Sequence, residues 1–183
     1  KRYRKVAILA KTDVTYATDP VPTGAANAMV VHDWDMTPLE GEEVERANLQ
    51  PYFGHYATMY STKFNRIKFK VELSGSGAAG TAPKWAPLML ACSTSETVSA
   101  GVSVTYAPAD TNQKSVTIYC NLDGKQHVLL SARGECKVVL PARGKPYLEF
   151  DFMGLFVALS DVALPSVTYT GWTAPVAVNK ANT

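Results

Sequence analysis

The 183 residues are enough for one medium-sized domain with a real core, and a hydrophobic content of 46% excludes wholesale disorder. Eighteen Lys and Arg against sixteen Asp and Glu leave a formal charge of +2, too nearly balanced for a dedicated DNA-binding module. No stretch approaches the roughly 20 apolar residues of a membrane span. The apolar stretch after the basic start Lys1-Arg2-Tyr3-Arg4-Lys5 is too short for a signal peptide.

In chain order, strand-like segments are expected at residues 5–11, 28–36, 63–73, 101–107, 115–122, 125–132, 135–140 and 146–156. The pattern is clearest where Ile67, Phe69, Val71 and Leu73 alternate with Arg66, Lys68, Lys70 and Glu72, because successive strand side chains point to opposite faces. Pro146, Leu148, Phe150 and Phe152 alternate in the same way against Tyr147, Glu149 and Asp151. Asp123-Gly124 suits a type I′ turn, which needs positive φ at both central residues. Arg133-Gly134 and Ala142-Arg143-Gly144 are expected to punctuate the strands that follow, giving an antiparallel meander from Ser115 to about Phe152. One helix is expected over residues 85–93, starting near Lys84 so that Pro87 falls in its first turn. Residues 12–27 and 39–62 read as long irregular segments, and loops of that length usually have a job.

The sequence carries few groups arranged for chemistry. Gly75-Ser-Gly77-Ala-Ala-Gly80 matches the dinucleotide-binding pattern by letter, but Pro83 and Pro87 would delete donors from the helix that should meet a pyrophosphate, so a flexible linker is expected. His32 and Trp34 should face away from Asp33 and Asp35, which argues against a shared metal, and Ca²⁺ would want more oxygens than two carboxylates supply. Three histidines and no GxSxG leave nothing that points to a nucleophilic enzyme, so no catalytic, cofactor or metal residues are assigned. Cys92, Cys120 and Cys136 are widely spaced and are expected as buried free thiols.

Several pieces taken in order resemble the major tail tube protein of long-tailed, non-contractile bacteriophages. They are Thr12-Asp-Val-Thr-Tyr16-Ala-Thr-Asp-Pro20, Pro22-Thr-Gly-Ala-Ala-Asn27, Thr37-Pro-Leu-Glu40 and Val44-Glu-Arg46. Phe69-Lys-Val-Glu-Leu-Ser-Gly75-Ser-Gly77 and Trp85-Ala-Pro-Leu-Met-Leu-Ala-Cys92 follow, then Tyr106-Ala-Pro108, Leu122-Asp-Gly124, Ala132-Arg-Gly134 and Phe152-Met-Gly154-Leu-Phe156. The resemblance covers about residues 11–165 and departs at Ser93-Thr94 and in the carboxyl-terminal 17 residues. It implies a mainly β fold, a β-sandwich or barrel with one short flanking helix and long loops. The subunits would form hexameric rings stacked into a hollow virion tail through which viral DNA is ejected. The partners implied are further copies of the chain, other phage tail proteins, and double-stranded DNA that passes without specific binding; no cofactor and no membrane are implied. Assembly would take place in the host cytoplasm.

Within that frame the chain is expected to be one domain with an amino-terminal arm (about 1–27), a long inter-strand loop (about 39–62) and a carboxyl-terminal extension (about 166–183). The loop is acidic at one end and aromatic at the other, so Glu42, Glu43, Glu45, Arg46, Tyr52, Phe53, Tyr56 and Tyr60 are the expected contacts with a neighbouring subunit or ring. DNA transit favours a lumen that does not grip phosphate, which suggests Glu149 and Asp151 as lining, whereas Arg66, Lys68 and Lys70 would bind DNA unless paired with carboxylates. Two other readings are a tube subunit of a phage-derived particle, and an extracellular carbohydrate-binding module using Trp34, Trp85 and Trp172.

Overall fold

The structure, a computed structural model, describes residues 5–46, 48, 49, 51, 54 and 56–179. Its strands are β1 (Val6–Thr12), β2 (Ala28–Met29), β3 (Val31–Glu40), β4 (Glu43–Val44), β5 (Met59–Tyr60) and β6 (Phe64–Glu72). After α1 (Ala86–Leu90), the one helix among the described residues, come β7 (Thr94–Ser99), β8 (Ser103–Pro108), β9 (Val116–Leu122), β10 (Lys125–Val139), β11 (Tyr147–Phe156) and β12 (Ser160–Asp161). Eight strands form one antiparallel sheet in the order β2-β1-β9-β10-β11-β6-β3, with β12 added beside β10. β2 and β3 stand at opposite ends of that order yet are separated in sequence only by Val30, so the sheet must curl until its ends approach. The result is a mainly β fold with a curled half-barrel sheet.

The curl creates an inside, and strand alternation fills it. Ile8 and Ala10 from β1, Val116, Ile118 and Cys120 from β9, Ile67, Phe69 and Val71 from β6, and Leu148, Phe150 and Phe152 from β11 are all buried there. Phe69, Phe150 and Phe152 form an aromatic cluster with ring centroids 5.5–6.0 Å apart, within the range in which offset aromatic pairs add to area burial. α1 closes the inside with Leu88 and its C-cap residue Ala91, and the Trp85 indole N–H donates to the Ser74 carbonyl at 2.8 Å. β9 is buried on both faces, because Leu9, Ala28, Tyr119 and Val128 form a second cluster covered by Val157 and Val167 of the carboxyl-terminal segment.

The predicted meander is present as β9, β10 and β11, and the Asp123-Gly124 turn has φ of 42° and 90°, the signs a type I′ turn requires. Arg133-Gly134 is not a turn. β10 runs unbroken through it, and the irregularity lies at Ser131, where φ is 49° and the register slips against both neighbours. Gly134 is needed for closeness instead: a Cβ there would stand 2.1 Å from the Asp151 carbonyl oxygen, and its N–H donates to the Ala91 carbonyl at the end of α1. The helix is shorter than expected: Trp85 is its N-cap, so it starts at Ala86, and it ends at Leu90 because Cys92 and Ser93 already turn the chain into the hairpin β7–β8.

Residues 13–27, expected as irregular, are pinned through buried polar groups. Asp13 accepts from the hydroxyls of Ser115 at 2.6 Å and Thr117 at 2.7 Å, Ser131 Oγ accepts from the Ala17 N–H at 2.7 Å, and the Tyr119 hydroxyl donates to Asp19. The carboxyl-terminal segment then ties down the outside: the Thr168 N–H donates to the Gly24 carbonyl and the Trp172 indole to the Ala28 carbonyl. Asp13→Ala strands two buried hydroxyls in one step, so it is expected to lower stability by about 2–3 kcal/mol, measured as a shift of the urea midpoint with unchanged slope.

Candidate functional site

The side chains of β10, β11, β6 and β3 that point away from the core form one continuous charged face. Cross-strand register creates it by setting Asp151 opposite Lys68 and Glu135, and Glu149 opposite Lys70 and Lys137. Arg66 reaches Asp151 with two hydrogen bonds of 2.7 Å, from Nε and Nη2, and Lys68 Nζ stands 3.1 Å from the same carboxylate. Lys70 lies between Asp33 at 3.2 Å and Glu149 at 3.5 Å, and Lys137 completes the lattice 3.8 Å from Glu149. All of these groups but Arg66 line a shallow depression of about 550 Å³. Glu149 and Asp151 are thus placed beside the three cations that were expected to need carboxylates, and each of those cations has one.

Asp33 reaches this face because of a bulge. Between His32 and Asp35 the register of β3 against β6 slips, and Asp33 takes φ of 49°. Simple alternation therefore fails: His32, Asp33 and Asp35 turn to the charged face while Trp34 packs against the core. His32 packs edge-on to Tyr147 with centroids 6.0 Å apart, and burial lowers its pKa from the usual imidazole value. Among the described residues no three His, Cys, Asp or Glu side chains are grouped to hold a metal ion.

Residues 41–62 are not wholly irregular. β4 and β5 pair as a two-stranded stem, closed at its base where the Ser61 N–H donates to the Glu42 carbonyl at 2.9 Å. Gly41 permits this closure, since a Cβ would come 2.0 Å from the Thr62 carbonyl oxygen. Glu42, Glu43, Glu45, Arg46 and Tyr60 are exposed and Tyr56 is half-buried; Tyr52 and Phe53 lie outside the described residues. Arg46 rests 5.1 Å from the Tyr56 ring centre, and a hydrogen bond with Glu43 raises the Tyr60 pKa above its usual value. Val44, Leu49 and Met59 add exposed apolar surface to the same segment.

The glycine motif has a packing role that spacing did not reveal. Gly77 and Gly80 take φ of 84° and 67°, and a Cβ on Gly80 would meet the Gly101 nitrogen at 2.3 Å. The segment cradles the tip of the β7–β8 hairpin, and α1 begins six residues after Gly80, so its amides do not face the glycines. Trp85 is buried, and Trp34 and Trp172 are partly buried against the core. Cys92, Cys120 and Cys136 are free; Cys120 is buried, with its thiol pushed up to about 12 by desolvation, while the other two are half-buried.

No family model and no curated protein matches this sequence. Among the described residues no helix is long and apolar enough to cross a membrane.

Arg66, hydrogen-bonded to Asp151 and joined by Lys68, holds the Asp151 carboxyl below its ordinary value of 3.8 against the opposing effect of burial. A carboxyl with a depressed folded-state pKa contributes stability that is present above its unfolded pKa and lost as pH falls through the folded value. Asp151→Asn should therefore lower the urea midpoint at neutral pH, and the gap from the parent chain should close progressively below about pH 4.

Proposed function

We propose that this chain is a structural subunit that polymerises as stacked rings into the tail tube of a phage, with the charged face of β10, β11, β6 and β3 turned toward the channel. The ordered sequence resemblance over residues 11–165 supports this reading. The observation that carries it on the structural side is a sheet face dense in lysine and arginine whose charges are neutralised within the face by Asp33, Glu149 and Asp151. Each free Lys or Arg along a channel would add a salt-dependent phosphate contact and slow a passing duplex. A wall in which Arg66 and Lys68 share Asp151 presents alternating charge and offers phosphate little net attraction. The stem of residues 41–62, with its exposed Val44, Leu49, Met59 and Tyr60, supplies surface for a neighbouring subunit or ring. The partners are then further copies of the chain, other tail proteins, and DNA in transit, within the virion tail.

Electron microscopy of the concentrated, purified chain should show rings or tubes with a central channel; a monomer at every concentration would count against the proposal. In the assembled material Glu149→Gln with Asp151→Asn should convert the channel wall into a DNA-retaining one. Retention should appear at low salt and fade as salt rises, and an unchanged lack of binding would remove these two carboxylates from the lumen.

A further inference from the structure

The fold treats its three cysteines differently. Cys120 points from β9 into the core and is fully buried, which shields it from reagents in solution. Cys92 and Cys136 are only half-buried, and both pack against that same core.

A backbone contact brings their two segments together. The Gly134 N–H donates to the Ala91 carbonyl at 3.3 Å, so the end of α1 lies directly on β10. Cys92 is the residue that follows this carbonyl. Cys136 stands two residues beyond Gly134 and therefore shares its side of the strand. That side is the inward one, since the register partners of Gly134 and Cys136 are the core residues Phe152 and Phe150. The two thiols also act on each other: burial pushes the Cys92 thiol up to about 12, and charge on Cys136 adds to the rise. Such coupling belongs to groups that are close and poorly screened by water. The Cys92 thiol donates to the Leu88 carbonyl at 3.3 Å, and a thiol is a weak donor whose bond is readily given up.

We infer that Cys92 and Cys136 form a reversible dithiol site, which closes to a disulfide by exchange with a small disulfide such as oxidised glutathione. The inference concerns the chain's own thiols and does not rest on the tube reading. The Cys136 thiolate attacks one sulfur of the small disulfide, giving a mixed disulfide and one small thiolate. The Cys92 thiolate then attacks the Cys136 sulfur, giving the protein disulfide and the second small thiolate. The protein loses two electrons and two protons, and the small disulfide leaves as two thiols. Cys136 attacks first because burial raises its thiol less, to about 11. Once it is capped, its charge no longer opposes ionisation of Cys92. Both thiols ionise well above neutrality, so closure is slow. The pair stays open in a reducing compartment and closes in an oxidising one. The bond staples the end of α1, where Leu88 and Ala91 cover the core, to the strand on which it rests.

The purified parent chain, incubated with oxidised glutathione at about pH 8.5 and digested with trypsin without reduction, tests it by mass spectrometry. Residues 85–114 and 134–137, the tryptic peptides that hold Cys92 and Cys136, should appear joined, with Cys120 still a thiol. A bridge between residues 92 and 136 restricts the unfolded chain, so oxidation should also raise the urea midpoint by about 1 M. Dithiothreitol should reverse that rise. Cys92→Ser and Cys136→Ser should each abolish both the joined peptide and the rise. Separate glutathione adducts on Cys92 and Cys136, two thiols that stay unreacted, or a bridge between two copies would each overturn the inference. These outcomes are read on the parent chain, so none depends on whether a variant folds.

Discussion

The structure depends on a connection of one residue. Val30 joins β2 at one end of the eight-stranded sheet to β3 at the other, and no flat sheet can satisfy that link. Curling brings the ends together across a gap lined by Val6, Ile8, Val31, Trp34 and Tyr169, and it turns a two-sided sheet into a body with an inside. That inside is filled by the apolar halves of the alternating strands, with Phe69, Phe150 and Phe152 at its centre and α1 as its closure. A short helix suffices because it only has to cover the open side, not to form a layer of its own.

The same alternation that fills the core determines what the other face can be. On β6 and β11 every second residue is committed to the interior, and Arg66, Lys68, Lys70, Glu72, Glu149 and Asp151 among the residues between are charged. Cross-strand neighbours of opposite sign stabilise one another weakly at a solvent-facing site. The value of this lattice lies in the potential it presents more than in stability: a dense set of cations is held beside carboxylates at 2.7–3.8 Å, so the face is charged in detail and nearly neutral at a distance. The carboxylates Glu42, Glu43 and Glu45, by contrast, lie exposed on the stem after β3.

Two glycine sites show how one letter serves different physical ends. Gly80 tolerates a left-handed conformation and the close approach of the β7–β8 hairpin, whereas Gly134 has ordinary strand geometry and is small so that the carbonyl of Asp151 and the end of α1 can approach. Sequence spacing registers both as punctuation. Only the second lies inside an unbroken strand, which is why a turn was expected there and a bulge at Ser131 was found nearby.

Local pattern by itself determined the strands of β1, β6, β9 and β11, the Asp123-Gly124 turn, the proline in the first turn of the helix, and the choice of inward residues on β6 and β11, because each follows from period-two alternation or from the φ a residue can adopt. It also placed Glu149 and Asp151 on the outward face. It did not determine what stands beside them: the pairing of β11 with β6 joins segments some eighty residues apart, and the rotation of Asp33 onto the same face follows from a bulge with no local signature. The stem within residues 41–62 and β7, the partner of the strand expected at 101–107, were missed for the same reason, since two-residue pairing and a Ser/Thr-rich strand carry little periodic signal. Tertiary structure alone decided that the cations of β6 meet carboxylates, because register between strands is set by the packing of the whole core and not by either strand on its own.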